Sequence, residues 1–381
     1  MMPLFVALLF LVCSIMVFFD LRYPILWKIS IGTTEYGHWF AAAPLFIACF
    51  TGWEDALSAT TTIISLMTIG ILLFPHFSAM IISRSLPSRF DRSFRNDDNV
   101  KNGGSPFQWR RLWSTAVQAV TVPVREVYAH NGGEEQYLKF FRSVSDKPLP
   151  CIVVVHTGGW DSGSPDEFET MNQYLASRGY AVASISYRFA PKWKWPAQKE
   201  DALAGIAFLK TNAARLGIDA SQFVLFGRSA GGQIAEAAAY SAHDPAIKGC
   251  IAFYAPADMN FAYEHLSSEP DILDSRTLLQ NYLGGSQEEV RNNYDDASPY
   301  DHVSSDSPPT LLIHGAKDPL TWYRQSERLS KKLTELSVPH LYIELPWGTH
   351  AFDYNFNGPG GQISRYAVER FLRSVVESRV Y

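Results

Sequence analysis

The segment from Gly227 to Gly231, GRSAG, places one serine between glycines, after the apolar run FVLF and before a helix-like run. In a G-x-S-x-G turn, a strand passes into a helix so tightly that glycine is needed two residues to either side, and the serine hydroxyl is forced outward. Ser229 is therefore either a nucleophile or an ordinary turn serine. Because a serine hydroxyl is a weak nucleophile, the first interpretation requires a base and an acid elsewhere in the chain.

Asp318 and His350 are the candidates for that acid and base. Asp318 follows the apolar run LLIHGAK, and His350 follows YIEL, so both come just after predicted strands. The chain order of nucleophile, acid and base is the one that accompanies a G-x-S-x-G turn. The carboxyl ends of parallel strands meet at one edge of a sheet, where we expect the three side chains to lie together. The alternatives are Asp353 and Glu344 for the acid and His314, His340 and His302 for the base.

The segment HTGGW, residues 156–160, is a candidate oxyanion-binding loop because it follows the apolar run CIVVV. The amides of Gly158, Gly159 and Ala230 are predicted to hold the negative oxygen that develops during acyl transfer. A plain glycine turn is the alternative interpretation. The aromatic side chains that could line a substrate pocket, or could equally serve in ordinary packing, are Trp160, Tyr254, Phe261 and Tyr263.

These segments belong to an alternating pattern that begins at Val122. An opening hairpin, VREVYAH and QYLKFFRS, is followed by continuous apolar strand-like runs that alternate with helix-length amphipathic stretches. This pattern predicts an α/β domain, residues 122–381, with a mostly parallel sheet covered by helices on both faces.

Together the motifs resemble the α/β-hydrolase superfamily, and within it the esterase and lipase group related to hormone-sensitive lipase. HTGGW is similar to that group's His-Gly-Gly loop, SYRFAP (residues 186–191) to its Tyr-Arg-Leu-Ala-Pro stretch, and GRSAGG, HGAKDPL and GTHAF to its nucleophile, acid and base segments. Carried over by position, the resemblance implies that Ser229 is the nucleophile, Asp318 the acid and His350 the base. Thr157 replaces the loop's usual first glycine, so the identity of the two loop amides that point inward does not carry over. Arg228 stands where many relatives have an acidic residue, so the acyl preference does not carry over either.

The resemblance implies a serine hydrolase that cleaves small-molecule or lipid-like carboxylic esters through an acyl-enzyme, without a metal or an organic cofactor. Amides, formamides or the methyl ester of a prenylated cysteine are alternative substrates. A binding protein on a hydrolase scaffold is the non-enzymatic alternative. Residues 258–308 are expected to insert a lid over the acyl pocket, together with a linker or cap formed by residues 84–121.

The first quarter of the chain is apolar and is predicted to anchor the protein in a membrane. Residues 1–19, 37–53 and 56–74 lack Asp, Glu, Lys and Arg, and runs near 20 residues are long enough to cross a bilayer as helices. Residues 1–83 are therefore predicted to contain about three spans, with buried core helices, or a signal peptide for the first run, as alternatives. Basic residues follow the first and third runs, and the positive-inside rule then directs the catalytic domain to the cytoplasm.

Composition excludes one class of partner and gives little evidence for a redox site. The 381 residues carry a net charge of −5 and no long Lys/Arg run, so no basic footprint for nucleic acid is present. The four cysteines have no CxxC or metal-ligand spacing, and we expect buried, reduced thiols. They are Cys13, Cys49, Cys151 and Cys250.

Overall fold

A mixed sheet organises the chain from residue 124 onward. The structure is a computed structural model and describes residues 1–94, 104–114, 121–142, 144–266 and 272–376. Its strands are β1 (Val124–Asn131), β2 (Glu134–Phe141), β3 (Leu149–Val155), β4 (Ala181–Ile185), β5 (Ile218–Arg228), β6 (Ile247–Phe253), β7 (Thr310–Gly315) and β8 (His340–Leu345).

Within these ranges the eight strands form one sheet in the order β1-β2-β4-β3-β5-β6-β7-β8. β1 and β2 form the predicted antiparallel hairpin, and β2 also pairs antiparallel with β4. From β4 to β8 the pairings are parallel. The prediction of a mostly parallel sheet with an opening hairpin is confirmed, and the parallel strands direct their carboxyl ends to one edge.

Helices precede the sheet and cover both of its faces. They are α1 (Met2–Ile15), α2 (Pro24–Glu35), α3 (Gly37–Phe40), α4 (Ala42–Thr51), α5 (Ala56–Phe94), α6 (Glu169–Ser177), α7 (Ala197–Thr211), α8 (Ala213–Leu216), α9 (Ala230–Ser241), α10 (Met259–Glu264), α11 (Ser275–Leu283), α12 (Arg291–Ala297), α13 (Pro299–His302), α14 (Arg324–Glu335) and α15 (Pro359–Val375).

Alternation of side chains along β5 shows how the sheet divides the core. Phe223 and Leu225 are buried in the layer that contains α7 and α9. Val224 and Phe226 are buried in the opposite layer, with α6, α15 and part of α5. Because every second residue of a strand faces the same side, a continuous apolar run is what burial on both faces requires.

The helix α5 joins the N-terminal region to the sheet. Its 39 residues extend about 58 Å at the usual rise per residue. Leu86 and Phe90 are fully buried in the core layer of α15, and the Arg89 guanidinium donates a hydrogen bond to the Tyr342 carbonyl oxygen at 2.5 Å. Residues 84–94, which the sequence assigns to a linker, are instead the last turns of α5, because Leu86 and Phe90 continue an apolar stripe at a spacing of four.

Among the described residues, α5 is the one helix both long and apolar enough to cross a membrane; its best 18-residue window has a mean hydropathy of 1.9, with 28% of the window buried. The segments Met2–Phe18 and Gly37–Thr51 are apolar but shorter. The arrangement of three spans therefore stays a prediction.

The two predicted lid or cap segments lie partly within the described structure. Residues 258–308 are largely helical and contain α10 to α13. Residues 267–271 of that stretch, and residues 95–103 and 115–120 of the linker or cap, lie outside the described ranges.

Candidate active site

Ser229 occupies a strained turn between β5 and α9. Its backbone has φ 53° and ψ −126°, and its amide donates to the Phe253 carbonyl oxygen at 2.9 Å. A Cβ on Gly227 would lie 2.0 Å from the Gly231 carbonyl oxygen, and one on Gly231 would lie 2.2 Å from the His156 carbonyl oxygen. Only glycine fits at these two positions, which explains why the tight turn requires them and why Ser229 projects from it.

His350 and Asp318 continue from Ser229 as a chain of hydrogen bonds. His350 Nε2 lies 3.0 Å from Ser229 Oγ, and His350 Nδ1 lies 2.7 Å from Asp318 Oδ2. The other carboxylate oxygen of Asp318 accepts hydrogen bonds from the amides of Leu320 and Thr321, both at 2.9 Å. The loop after β7 thus fixes the carboxylate, the carboxylate fixes the imidazole, and the imidazole faces the hydroxyl.

The electrostatics of this chain favour an ionised Asp318. Burial alone would raise the pKa of the Asp318 carboxyl, but the charge and hydrogen bonds of His350 and His314 hold it well below its usual range. An ionised carboxylate next to Nδ1 favours the His350 tautomer that carries its proton there. Nε2 is then free to accept a proton from Ser229.

The other candidates for the base bond to groups other than Ser229. His314 Nδ1 lies 2.7 Å from Ser326 Oγ, as expected for a structural histidine. The ring of His340, at the far end of β8, contacts Ser330 and the Val338 carbonyl oxygen. His302 contacts the Asp296 carbonyl oxygen.

A cavity of about 470 Å³ opens above Ser229. One wall is mostly apolar and comes from α10, α11 and the loop after β7. Another part of the wall comes from the connector between α1 and α2, which contributes two charged residues. The wall includes Asp20, Arg22, Phe261, Leu278, Leu279 and Trp322.

Two of the three predicted oxyanion donors lie at this cavity. Gly159 and Ala230 line it beside Ser229, whereas Gly158 lies one residue further back in the loop. Ala230 is the first residue of α9, and the first amides of a helix have no partner within it. Thr157, which replaces the usual glycine, donates from its amide and its hydroxyl to Glu167, at 3.2 and 2.7 Å. The side chain of Thr157 therefore secures the loop to Glu167.

Comparison with known proteins assigns this architecture to a family. A family model described as BD-FAE matches residues 140–333, just over half of the chain. The chain belongs to the BD-FAE family. The matched span contains the HTGGW loop, the turn at Ser229 and the Asp318 loop.

Curated relatives of this BD-FAE member are esterases. It is 27% identical to the probable carboxylic ester hydrolase LipM of Mycobacterium tuberculosis over 70% of this chain and 67% of that protein. It is 28% identical to esterase LipC over 62% and 61%, and 30% identical to esterase LipQ over 58% and 55%, both of the same organism. The chain thus spans about half to two thirds of these relatives. All three of these relatives are named as esterases or carboxylic ester hydrolases.

Solved structures show that this BD-FAE member has the α/β-hydrolase fold of esterases. A bacterial heroin esterase superposes with a TM-score of 0.60 at 21% identity, covering 67% of this chain and 85% of that one. A Pyrobaculum calidifontis esterase superposes with a TM-score of 0.59 at 24% identity, covering 68% and 87%. At these identities the likeness is one of fold.

The predicted pocket aromatics of this BD-FAE member divide into two groups. Trp160 and Phe261 line the cavity. Trp160 also stacks on Tyr282, with ring centroids 4.4 Å apart, and donates from Nε1 to Gln233 at 2.9 Å. Tyr254 and Tyr263 are not among the described residues that line the cavity. Tyr254 is fully buried, and its ring centroid lies 4.5 Å from that of His350.

Sequence reasoning missed a buried network beneath His350. Arg228 Nε donates to Asp353 Oδ2 at 2.6 Å, and the Tyr254 hydroxyl donates to Asp353 Oδ1 at 2.7 Å. The Arg228 side chain is 2% exposed and lies against the rings of Phe168 and Phe226. Arg228 therefore supports the His350 loop from below, outside the cavity. The available signal was a charged residue next to the nucleophile and a second carboxylate three residues after His350.

Proposed function

We propose that this protein is a membrane-anchored serine hydrolase that cleaves carboxylic esters through an acyl-enzyme formed on Ser229. The observation that carries the proposal is the unbroken chain of hydrogen bonds from Ser229 through His350 to Asp318 at the floor of the cavity. A hydroxyl, an imidazole and an ionised carboxylate in this order are sufficient to activate a serine.

In the first half of the reaction, Ser229 Oγ attacks the ester carbonyl carbon while His350 Nε2 takes the hydroxyl proton. The carbonyl oxygen becomes an anion, and the proposed donors to it are the amides of Gly158, Gly159 and Ala230, of which Gly159 and Ala230 line the cavity. One such donor is worth about 3 to 4 kcal/mol in well-studied enzymes. The bond to the alcohol oxygen then breaks, His350 returns the proton to that oxygen, and the alcohol leaves.

In the second half, water attacks the acyl carbon while His350 Nε2 accepts a proton from it. The bond between Ser229 Oγ and the acyl carbon breaks, Oγ recovers the proton, and the carboxylic acid departs. The enzyme ends in its starting protonation state. We propose that the acyl or alcohol part of the substrate contacts the wall of Phe261, Leu278 and Leu279, which favours apolar, small-molecule or lipid-like esters.

Membrane anchoring is supported by the exposed apolar surface of the N-terminal helices. Large apolar side chains on α1, α4 and α5 are exposed, and contiguous apolar surface of this kind is typical of a lipid or protein contact. Examples are Phe5, Val12, Phe46, Phe50, Leu66 and Met67. Because α5 is longer than the roughly 30 Å apolar core of a bilayer, its first half can lie in lipid while its second half packs on the hydrolase domain. The basic residues near its C-terminal end favour a cytoplasmic hydrolase domain.

A fluorophosphonate probe tests the nucleophile. We expect the purified full chain to be labelled on the peptide that contains Ser229, and Ser229→Ala to lose the label. Ser177→Ala, which changes an exposed serine on α6, is the matched control and should label as the wild type does. An unlabelled wild-type protein would reject the serine-hydrolase proposal.

A panel of substrates then tests whether the enzyme cleaves esters or amides. p-Nitrophenyl esters of increasing chain length should be hydrolysed by the wild type and not by Ser229→Ala. The corresponding anilides and a prenylcysteine methyl ester form the second arm. Faster cleavage of the anilides than of the matched esters would replace ester hydrolysis with amide hydrolysis.

A further inference from the structure

The helix α2, from the N-terminal region, lies against the loop that carries His350. Residues 346–358, all of which the structure describes, form neither helix nor strand between β8 and α15. A loop of this kind takes its geometry from the side chains that hold it. Because His350 must keep Nε2 within hydrogen-bond distance of Ser229, the groups that hold this loop bear directly on the reaction.

Trp27, on α2, contacts His350 itself. Its indole Nε1 donates a hydrogen bond to the His350 carbonyl oxygen at 3.3 Å. The two rings meet edge to face, with centroids 6.3 Å apart and an interplanar angle of 61°. One side chain thus contacts both the backbone and the ring of the proposed base.

Glu35, the last residue of α2, holds both ends of the same loop. Its fully buried carboxyl accepts hydrogen bonds from Trp347 Nε1 at 3.2 Å and from the Gly360 amide at 2.9 Å. Its backbone carbonyl oxygen accepts one from Asn355 Nδ2 at 2.9 Å. Trp347 precedes His350, whereas Asn355 and Gly360 follow it, so the contacts of Glu35 enclose the base on both sides.

The connector before α2 reaches the cavity as well. Asp20 and Arg22 line the cavity wall that faces Ser229. The segment from Asp20 to Glu35 therefore supplies part of the substrate cavity at one end and holds the His350 loop at the other.

We propose that α2 is a positioning element of the active site, in which Trp27 and Glu35 hold the His350 loop so that Nε2 faces Ser229; this rests on the proposed serine-hydrolase function. The N-terminal helices are then an integral part of the catalytic apparatus in addition to an anchor. Trp27 and Glu35 act through His350 and are not among the described residues that line the cavity, so they are positioning residues.

The test uses the full chain and two conservative variants. Trp27→Phe keeps an aromatic ring and removes the N–H donor. Glu35→Gln keeps the shape and turns one acceptor oxygen into an NH₂ group that faces an N–H donor. The matched controls are Trp53→Phe and Glu54→Gln, which make the same changes at exposed positions before α5.

The measurements are the stoichiometry and the rate of fluorophosphonate labelling, with kcat and KM for p-nitrophenyl acetate. We expect both variants to reach the wild-type labelling stoichiometry. Trp27→Phe should be about fivefold slower in labelling and in kcat, the usual worth of one hydrogen bond, and Glu35→Gln about tenfold slower. KM should stay within about twofold, because neither residue contacts the substrate. Both controls should behave as the wild type.

Two results would overturn the positioning role. One is wild-type rates in both variants. The other is a lower labelling stoichiometry with an unchanged rate per labelled site, which would mean that Trp27 and Glu35 only stabilise the fold. A wild-type protein that does not label at all would instead contradict the proposed function, so the two failures are distinguishable.

Discussion

Asp318 has one role that its surroundings define closely. Its carboxylate is buried, accepts two backbone amides and faces His350 Nδ1. A group held in this way can orient an imidazole and stabilise its charged form without itself taking up the proton. A neutral amide of the same shape would do neither.

We therefore expect Asp318→Asn to fold and to lose about 10³- to 10⁴-fold in kcat, because the wrong His350 tautomer would face Ser229. The measurement is kcat on the best p-nitrophenyl ester. Asp306→Asn, an exposed site, is the control for the substitution itself. An Asp318→Asn enzyme within tenfold of the wild type would show that another group orients the base.

Arg228 and Asp353 form an ion pair in which both side chains are 2% exposed. Removing one partner of such a pair leaves an uncompensated buried charge, which typically costs about 3 to 5 kcal/mol of folding free energy. Arg228→Met should therefore lower the free energy of unfolding, measured by denaturant titration, by about 3 to 5 kcal/mol. Arg228→Met combined with Asp353→Asn should recover part of the loss, because no carboxylate is then left unpaired. Equal stability of Arg228→Met and the wild type would show that the ion pair of Arg228 with Asp353 does not stabilise the fold.

The sequence of helix α2 gives no sign of the contacts that this helix makes with the His350 loop. Its residues PILWKISIGTTE have neither the apolar run of a membrane span nor a catalytic motif. The importance of α2 arises from its contacts with residues more than 300 positions later in the chain.

Glu35, at the end of α2, is expected to make the stability of the protein depend on pH. Burial raises the pKa of the Glu35 carboxyl to about 8, although hydrogen bonds from Gly360 and Trp347 act in the opposite direction. Since the unfolded chain has the lower value of 4.5, the folded state binds the extra proton. The contribution of Glu35 to the stability of the fold is therefore fully present below about pH 4.5 and is lost as the pH rises through about 8.

In detergent, the melting temperature should therefore fall more between pH 5.5 and pH 8.5 for the wild type than for Glu35→Gln, which cannot ionise. Glu54→Gln, at an exposed position, should keep the pH dependence of the wild type. Identical pH dependence in Glu35→Gln and the wild type would mean that Glu35 is ionised at neutral pH in the folded protein.

At the scale of the whole molecule, the sequence predicts those features that depend on residues close together in the chain. Continuous apolar runs predict the parallel strands, and turn chemistry predicts that Ser229, Asp318 and His350 follow their ends. The structure brings these three side chains within hydrogen-bond distance. The partners of Arg228 and Glu35 could not be predicted, because contacts across 125 and more than 300 residues leave no local signal. The charges after residue 83 predict a linker there, whereas Leu86 and Phe90 continue the apolar stripe of α5 to Phe94.

The native cysteines allow a test of whether the N-terminal helices are inserted in a membrane. The expectation of buried thiols is confirmed for Cys151 and Cys250 and is wrong for Cys49, which is an exposed free thiol on α4. In a water-soluble protein Cys49 would react readily with a charged maleimide. If the N-terminal helices lie in lipid, Cys49 should be shielded in membrane vesicles, because a charged maleimide does not enter the apolar core of the bilayer.

Val144→Cys supplies the control for this labelling, because Val144 is fully exposed on the hydrolase domain. A cysteine there should react in inside-out vesicles and stay unlabelled in intact cells if the domain faces the cytoplasm. Peptide mapping separates the labelled sites. Labelling of Cys49 as fast as that of Val144→Cys in vesicles would contradict membrane insertion of α4, and labelling of Val144→Cys from outside the cell would reverse the orientation.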